Sequence, residues 1–112
     1  MNLENTQVQM RKGLLELCIL HIIARGEVYA SDVLEELTAA KMIIVEGTLY
    51  PLLTRLKSAG LVEYKLVDSH AGPPRKYYKI TAEGEAFLAT LDKSWLDLVS
   101  TIHQIIDRKN EI

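Results

Sequence analysis

The stretch Glu46-Gly-Thr-Leu-Tyr-Pro-Leu-Leu53 decides the fold that this sequence predicts. It begins a helix that starts between residues 46 and 48 and ends at Gly60. Pro51 is expected in the first turn, where its missing N–H costs little. The inner face is expected to carry four leucines at helical spacing, which are Leu49, Leu52, Leu53 and Leu56. Polar and aromatic side chains are then left for the outer faces.

A β-hairpin with a basic tip is predicted directly after this helix. Residues 61–67 and 76–80 form two runs rich in β-branched and aromatic residues, and the segment 68–74 between them contains Gly72-Pro-Pro. Tyr77 and Tyr78 are expected on opposite faces of the second strand, so one of them belongs to the core. A helix followed by such a ribbon is typical of a winged helix-turn-helix, which places the helix in the DNA major groove and the ribbon beside it.

Two helices are predicted upstream of this unit. Residues 7–25 have apolar groups on nearly every face, which indicates a helix inside the fold or in a dimer interface. Gly26 is expected to end it in a left-handed conformation. A second helix, capped by Ser31 or Asp32, is predicted to run to about Ala40. The apolar segment 42–45 is expected to be a short strand or an extended connector.

The C-terminal segment predicts one long helix, capped by Thr81. Apolar residues recur along it at spacings of three and four, which is the pattern of a dimer seam: Leu88, Leu91, Trp95, Leu98, Ile102 and Ile105. We therefore expect a homodimer. The predicted fold is mainly α with a small β-hairpin. It has a winged helix-turn-helix over residues 1–80, with helix 7–25 contributing to the dimer, and a dimerisation helix over 81–112.

Composition and charge narrow the class of protein. The chain has 112 residues, of which 48% are hydrophobic, so one domain with a core is expected. A single cysteine, Cys18, fits a reducing cytosol, and no signal peptide or membrane span is predicted. The net charge of −2 is unevenly spread. Residues 41–80 carry seven basic and three acidic groups, whereas the segments before and after each carry three and six. The only positive third holds the predicted DNA-binding helix and wing, and a local field of this sign steers a protein to phosphate.

Several short sequence motifs resemble those of one family of regulators. Gly47-Thr-Leu-Tyr-Pro, Gly60-Leu-Val and Gly72-Pro-Pro-Arg-Lys-Tyr-Tyr, followed by Thr81-x-x-Gly84, are similar to the PadR family of transcriptional regulators. The single C-terminal helix resembles the short branch of that family. The resemblance implies a dimer with interleaved N- and C-terminal helices, double-stranded DNA as partner, and repression relieved by a small effector.

Nine residues are candidates for DNA contact: Thr48, Tyr50, Thr54, Arg55, Lys57, His70, Arg75, Lys76 and Tyr77. Thr48 can offer its hydroxyl or N–H to a phosphate at the helix N-terminus, or act as a plain cap. Arg55 and Lys57 are backbone anchors or a solvated helix face. In the wing, Arg75 and Lys76 are expected to reach the phosphate backbone or the minor groove.

Trp95 has two interpretations. It is an interface anchor, or it stacks on a planar aromatic effector between two subunits, as the family resemblance implies. In the second case Val99, Leu15 and Val8 are its expected neighbours, with Asp97 near them. No nucleophile motif, phosphate loop or Cys/His cluster is present in the sequence, so neither an enzyme, a cofactor nor a metal is predicted. The competing hypothesis is a winged-helix protein-interaction module with no specific operator.

Overall fold

A computed structural model describes residues 1–108 and has five helices and a three-stranded antiparallel sheet of order β1-β3-β2. The elements are α1 (Leu3–Lys12), α2 (Leu15–Ala24), β1 (Val28–Tyr29), α3 (Ala30–Ala39), α4 (Glu46–Ser58), β2 (Val62–Ser69), β3 (Gly72–Ile80) and α5 (Ala82–Asp107). The mainly α fold with a winged helix-turn-helix and a long C-terminal helix is confirmed. The last four residues of the predicted segment 81–112 lie outside the described residues.

The core lies where α2, α3 and α4 meet the sheet. Aliphatic side chains from these elements dominate it, and Ile19, Val33 and Leu53 are fully buried. Tyr78 is also buried, while Tyr77 on the opposite face is half-buried, so the prediction that one of this pair is core is confirmed. Burial of the helix faces against one sheet fixes α3 and α4 as a compact helix-turn-helix.

The predicted single helix over 7–25 is two helices. Helix α1 begins at Leu3, and the chain turns at Gly13 and Leu14 before α2 begins at Leu15. Glycine is a poor helix former, and here it closes α1 with its N–H bonded to the carbonyl of Arg11. Five of the ten residues of α2 are buried in the core, whereas α1 buries none of its residues. The break separates a core helix from an uncovered one.

The predicted end of the helix before α3 and the predicted cap of α3 both differ from the structure. Gly26 is not left-handed, because α2 ends earlier, at Ala24 with Arg25 as its cap. The cap of α3 is Tyr29 rather than Ser31 or Asp32, and the Asp32 carboxylate accepts the Tyr29 N–H at 2.9 Å from the third helical position. A carboxylate at the third helical position can accept a hydrogen bond from the backbone N–H of the cap residue, which otherwise has no partner in the helix. The segment 42–45 is an extended connector.

Helix α4 begins at Glu46, so Pro51 lies in its second turn and not in the first, as the sequence predicted. Proline at that position leaves the Gly47 carbonyl without its helical donor, and Gly47 is exposed to water, which can replace it. The helix ends with Gly60 at φ +79°, where its N–H bonds to Lys57 and the Leu61 N–H bonds to Leu56. These two bonds form a Schellman motif, which glycine favours.

The hairpin is tighter than predicted, with only His70 and Ala71 between paired Ser69 and Gly72. Pro73 and Pro74 therefore belong to β3 and not to the turn. The register shifts between Val67 and Ser69, so the two prolines oppose Asp68 alone in a β-bulge. Proline is tolerated there because a bulged strand does not need every N–H for the ladder. Strand β1 was not predicted; it pairs with β3 at Tyr77 and Tyr78.

Helix α5 is anchored at its first turn and then leaves the body of the protein. The Thr81 hydroxyl donates to the Gly60 carbonyl at 2.6 Å and accepts the Gly84 N–H at 3.0 Å, which confirms the predicted cap. The helix has 26 residues, a length of about 39 Å at 1.5 Å per residue, and within its own chain it packs mainly against α2. Among residues 1–108, no helix combines the length and the apolar character that crossing a bilayer requires.

Candidate nucleic-acid interface

Helix α4 presents one polar face to solvent. Leu49, Leu53 and Leu56 are buried, and at about 100° per residue the opposite side carries Gly47, Pro51, Thr54 and Ser58, all of them exposed. Tyr50 lies on the flank that faces the wing and is 45% exposed. The outer face is narrow and free of large side chains near the helix start, so DNA can approach the backbone there.

A cleft of about 310 Å³ separates the start of α3 from the wing. Its walls come from three elements: Tyr29, Ala30 and Ser31 at the start of α3, Tyr50 on α4, and Pro73, Pro74, Arg75 and Lys76 on β3. Two cations, two phenols and a serine hydroxyl thus surround one opening, next to the N–H groups of a helix start. Cations, hydroxyls and a helix start are groups that favour the binding of an anion such as phosphate. Tyr50, Arg75 and Lys76, three of the nine predicted residues, meet here.

Arg75 is held in place on the edge of this cleft. Its guanidinium lies 3.8 Å from the centre of the Tyr29 ring, and its Nη2 donates to Ser31 Oγ at 2.7 Å. The Tyr29 ring in turn packs on Tyr77, with ring centres 4.7 Å apart. Because arginine offers five N–H donors, most of them stay free for a ligand.

Lys57 adds a third cation beside the cleft, and it shares one aromatic ring with Lys76. The ammonium of Lys57, on α4, lies 5.4 Å from the centre of the Tyr64 ring, and that of Lys76, on β3, lies 4.8 Å from it. An aromatic face attracts a cation within about 6 Å. Lys57 is therefore directed toward the wing, on the same side of α4 as Tyr50.

Five predicted DNA residues lie away from the cleft. Arg55 forms an ion pair with Glu16 of α2 at 3.5 Å, on the opposite flank of α4 from Lys57. Thr48 is half-buried and lines a separate groove with Val8, Leu15 and the 43–45 connector. His70 is exposed at the hairpin tip. Tyr77 is half-buried between Tyr29 and Lys65. Thr54, the remaining residue, lies on the exposed face of α4.

Trp95 borders an apolar groove of about 270 Å³ between α2, α4 and α5. Leu17, Phe87, Leu91 and Leu98 supply apolar walls, and the Arg55–Glu16 ion pair lies at the edge. The indole is 37% exposed. Within one chain, Val8 and Leu15 line a different groove, with Arg11, Lys12 and Thr48, and neither they nor Val99 borders the Trp95 groove.

The predicted dimer seam of α5 has one part that packs on the core of its own chain and one part that is exposed. Leu88 is buried and Leu91 half-buried against the core of their own chain. Beyond them the apolar side chains are largely exposed, and they are Trp95, Leu96, Leu98, Ile102, Ile105 and Ile106. Helix α1 exposes Leu3, Val8 and Met10 in the same way. Large apolar surfaces of this extent mark an interaction site.

Two residues of the cleft, Tyr29 and Ser31, were missed as candidates. The signal available in the sequence was the run Tyr29-Ala-Ser-Asp32, but no spacing rule relates it to Arg75, which lies 44 residues further along the chain. Only the pairing of β1 with β3 brings them together. Cys18 lies elsewhere, in α2, and partial burial raises the pKa of its thiol, which keeps it protonated near neutral pH. No metal-binding cluster exists within residues 1–108.

Comparison with known proteins identifies the family. Residues 19–90 match the transcriptional regulator PadR-like family. A PadR-like transcription factor of Bacteroides fragilis is 52% identical with a TM-score of 0.76, over 90% of this chain and 98% of that one. A PadR family regulator of Eggerthella lenta has a TM-score of 0.87 at 28% identity, covering 93% of this chain and 91% of its own. The transcriptional regulator Rv3488 of Mycobacterium tuberculosis is 35% identical over 82 residues, 71% of this chain and 74% of its own length. This chain is therefore a member of the PadR-like family of transcriptional regulators.

Proposed function

We propose that the protein is a cytoplasmic homodimeric repressor that binds an inverted-repeat DNA operator. The observation that carries this proposal is the cleft, because α3, α4 and the wing meet there around one opening with two cations and three hydroxyls. A winged helix-turn-helix that places α4 in the major groove brings this opening over the flanking phosphates. Thr54 on the outer face of α4 is then the candidate for base-edge contact, and Arg75 and Lys76 are the candidates for phosphate contact.

The positions of Lys57 and Arg55 on α4 support different roles for these two predicted DNA contacts. Lys57 is directed toward the wing, on the cleft side of α4, so it adds positive charge beside the same phosphates. Arg55 is paired with Glu16 on the other flank. Residues two positions apart on a helix do not share a face, so Arg55 and Lys57 cannot both border one phosphate row. We assign Lys57 to DNA and Arg55 to the groove that holds Trp95.

The exposed apolar surfaces of α1 and α5 support the homodimer. A second copy would supply a matching set of apolar side chains, and a two-fold axis would then present two α4 helices to DNA. Such an arrangement predicts half-sites about 10 base pairs apart, centre to centre, or a multiple of that spacing. The Trp95 groove borders the same surface, which supports release of DNA by a small planar aromatic effector bound between the subunits.

A titration of labelled 30-base-pair duplex with the protein tests the DNA assignment. Fluorescence anisotropy at 50 and 200 mM salt is expected to show saturable binding that weakens strongly with salt. The double change Arg75→Ala with Lys76→Ala removes two of the proposed phosphate contacts. It is expected to weaken binding to all sequences and to reduce the slope of log K against log salt by about 1–2.

A second double variant of equal charge provides the control. Lys65→Ala with Lys79→Ala also removes two cations from the sheet, but these side chains pair with Glu27 and Glu63 outside the cleft. This variant is expected to keep most of the affinity. Equal losses in the two variants would show that only total charge matters and would overturn the cleft assignment. Absence of saturable binding by the unmodified protein would favour the winged-helix protein-interaction module.

A further inference from the structure

The outer part of the wing has few connections to the helix-turn-helix. Strand β1 is two residues long and pairs with β3 only at Tyr77 and Tyr78. Beyond that point, toward Gly72, no strand within residues 1–108 pairs with β3 on the β1 side. Pro73 and Pro74 have no N–H to offer a partner along this edge. An isolated two-stranded ribbon is only marginally ordered by itself.

Arg75 supplies a connection across this gap. Its guanidinium stacks at 3.8 Å on the ring of Tyr29, and its Nη2 donates to Ser31 Oγ at 2.7 Å. Stacking restricts the plane of the guanidinium, and the hydrogen bond restricts its rotation within that plane. The two contacts therefore fix different degrees of freedom of one side chain.

Tyr29 and Ser31, the two residues that contact Arg75, are themselves held in place by the fold. Tyr29 is paired with Tyr77 in the sheet, packs its ring on the Tyr77 ring, and donates its N–H to Asp32. Ser31 is the second residue of α3, where the helical backbone sets its direction. A side chain that is already ordered loses less conformational entropy when a phosphate binds.

We propose that Tyr29 and Ser31 are positioning residues that latch the wing to α3 by holding Arg75 at the cleft before DNA arrives. The latch leaves several N–H groups of the guanidinium free for a phosphate. Its consequence for DNA affinity rests on the proposed function, whereas its consequence for the order of the wing does not. The two consequences can therefore be tested separately.

Nuclear magnetic resonance of the DNA-free protein tests the latch itself. In Ser31→Ala and Tyr29→Leu, we expect the Arg75 Nε–H signal to shift and the heteronuclear NOE of the Gly72, Arg75 and Lys76 amides to fall. Ser31→Thr keeps a hydroxyl and Tyr29→Phe keeps a ring, so both are expected to restore the signals. Unchanged wing order and Arg75 signals in Ser31→Ala and Tyr29→Leu would overturn the latch.

DNA titration tests its consequence for binding. With a labelled random 30-base-pair duplex at low salt, Ser31→Ala is expected to bind about two- to fivefold more weakly, the range for an exposed polar contact. In an Arg75→Ala background the same change is expected to have no further effect, because Ser31 acts through Arg75. Thr38→Ala is the control, since this α3 hydroxyl bonds to the Leu34 carbonyl away from the wing.

The outcomes separate the two proposals. An equal loss from Ser31→Ala with and without Arg75 would mean that Ser31 acts directly, which overturns its positioning role. Normal resonance behaviour of the latch in a protein that binds no duplex would overturn the proposed function and leave the latch intact.

Discussion

Gly84 shows how a single residue fixes the junction between the wing and α5. A Cβ atom built there would lie 2.0 Å from the Leu61 carbonyl oxygen and 2.7 Å from Ile80 Cγ1. The carbonyl belongs to the backbone and also accepts the Thr81 N–H at 3.0 Å, so it cannot move away without losing that bond. The family-like Thr81-x-x-Gly84 motif thus needs glycine for space.

Gly84→Ala is therefore expected to lower the free energy of unfolding by about 2–3 kcal/mol, because the first turn of α5 must shift to relieve the clash. Urea denaturation followed by circular dichroism measures this. Gly47→Ala is the matched control, since nothing lies within 4 Å of the added atom. Alanine is a better helix former, so the control is expected to gain up to about 1 kcal/mol. Similar losses at the two sites would contradict the packing explanation.

Tyr78 links stability to pH at alkaline values. Burial raises the pKa of its phenol, and the neighbouring Tyr64 and Tyr50 phenols raise it further. Below the pKa of the unfolded chain, which is near 10, the Tyr78 phenol is protonated in both the folded and the unfolded protein. Its contribution to stability is then complete. As pH rises above 10 toward the folded pKa, the unfolded chain loses its proton first. Stability is therefore lost on the alkaline side.

Tyr78→Phe keeps the buried ring and removes the titrating group, so its unfolding free energy is expected to fall less between pH 9 and 11 than that of the unmodified protein. Denaturant titrations across this range at constant ionic strength give the difference. The two proteins differ only in the Tyr78 hydroxyl, so the difference between their profiles isolates its contribution to stability. Parallel profiles would show that Tyr78 has the same pKa in both states.

At the scale of elements, strong local patterns predicted the structure well. The α4 leucines and the Thr81 cap were predicted because each depends on residues within one or two turns. The partition of Tyr77 and Tyr78 followed from strand alternation. Period and capping are local physical properties, so a single sequence contains them in full.

The missed features depend on distant residues. Strand β1 is two residues long, too short for any periodic pattern, and it exists because it pairs with Tyr77 and Tyr78 almost 50 positions later. Gly13 separates the buried helix α2 from the exposed helix α1, and this difference in burial is a tertiary property. Helix geometry alone predicts that Arg55 and Lys57 point in different directions. It does not predict that Arg55 pairs with Glu16 or that Lys57 lies over the Tyr64 ring.

The groove beside α5 leads to a prediction about Trp95. Its indole is partly exposed and surrounded by Phe87, Leu91 and Leu98, so a planar aromatic compound placed there would contact it directly. Saturable quenching of tryptophan emission is expected with such compounds, at about one per dimer if the site spans the two-fold axis. The chain has one tryptophan, so the signal needs no correction for others.

A matched variant distinguishes the groove from non-specific quenching. Leu98→Ala shortens one wall of the groove, and we expect it to weaken the saturable quenching by aromatic compounds. Iodide serves as a solvent-borne quencher, whose effect reports only indole exposure. Quenching by aromatic compounds that rises linearly without saturation would leave Trp95 as a packing residue.

At the scale of the whole molecule, the shape agrees with a protomer that lacks a partner. The chain measures 65 × 34 × 21 Å with a radius of gyration of 16.9 Å, whereas a compact chain of this length has about 13 Å. The excess length comes from α5, whose distal half carries exposed apolar side chains. A second copy of the chain would cover these side chains in the proposed homodimer.

Ile102→Glu with Ile105→Glu is therefore expected to produce a monomer, because two charges would have to be buried in an apolar interface. Both side chains are exposed in the single chain, so the fold of the winged unit is expected to survive, with Gly84 and Tyr78 packed as before. Thr101→Glu with Gln104→Glu adds the same charge to polar positions of the same turns. Sedimentation equilibrium at micromolar concentration compares the three proteins.

The monomer also makes the link between assembly and DNA binding measurable. In the proposed homodimer, two linked α4 helices would bind one inverted repeat with an avidity that exceeds that of either alone by about 10²–10⁴-fold. The charged interface variant is expected to lose affinity for the inverted repeat in that range, yet to keep its weak affinity for a single half-site. A monomer that binds the repeat as tightly as the unmodified protein would show that each winged unit recognises DNA independently. The apolar face of α5 would then serve a partner other than a second copy.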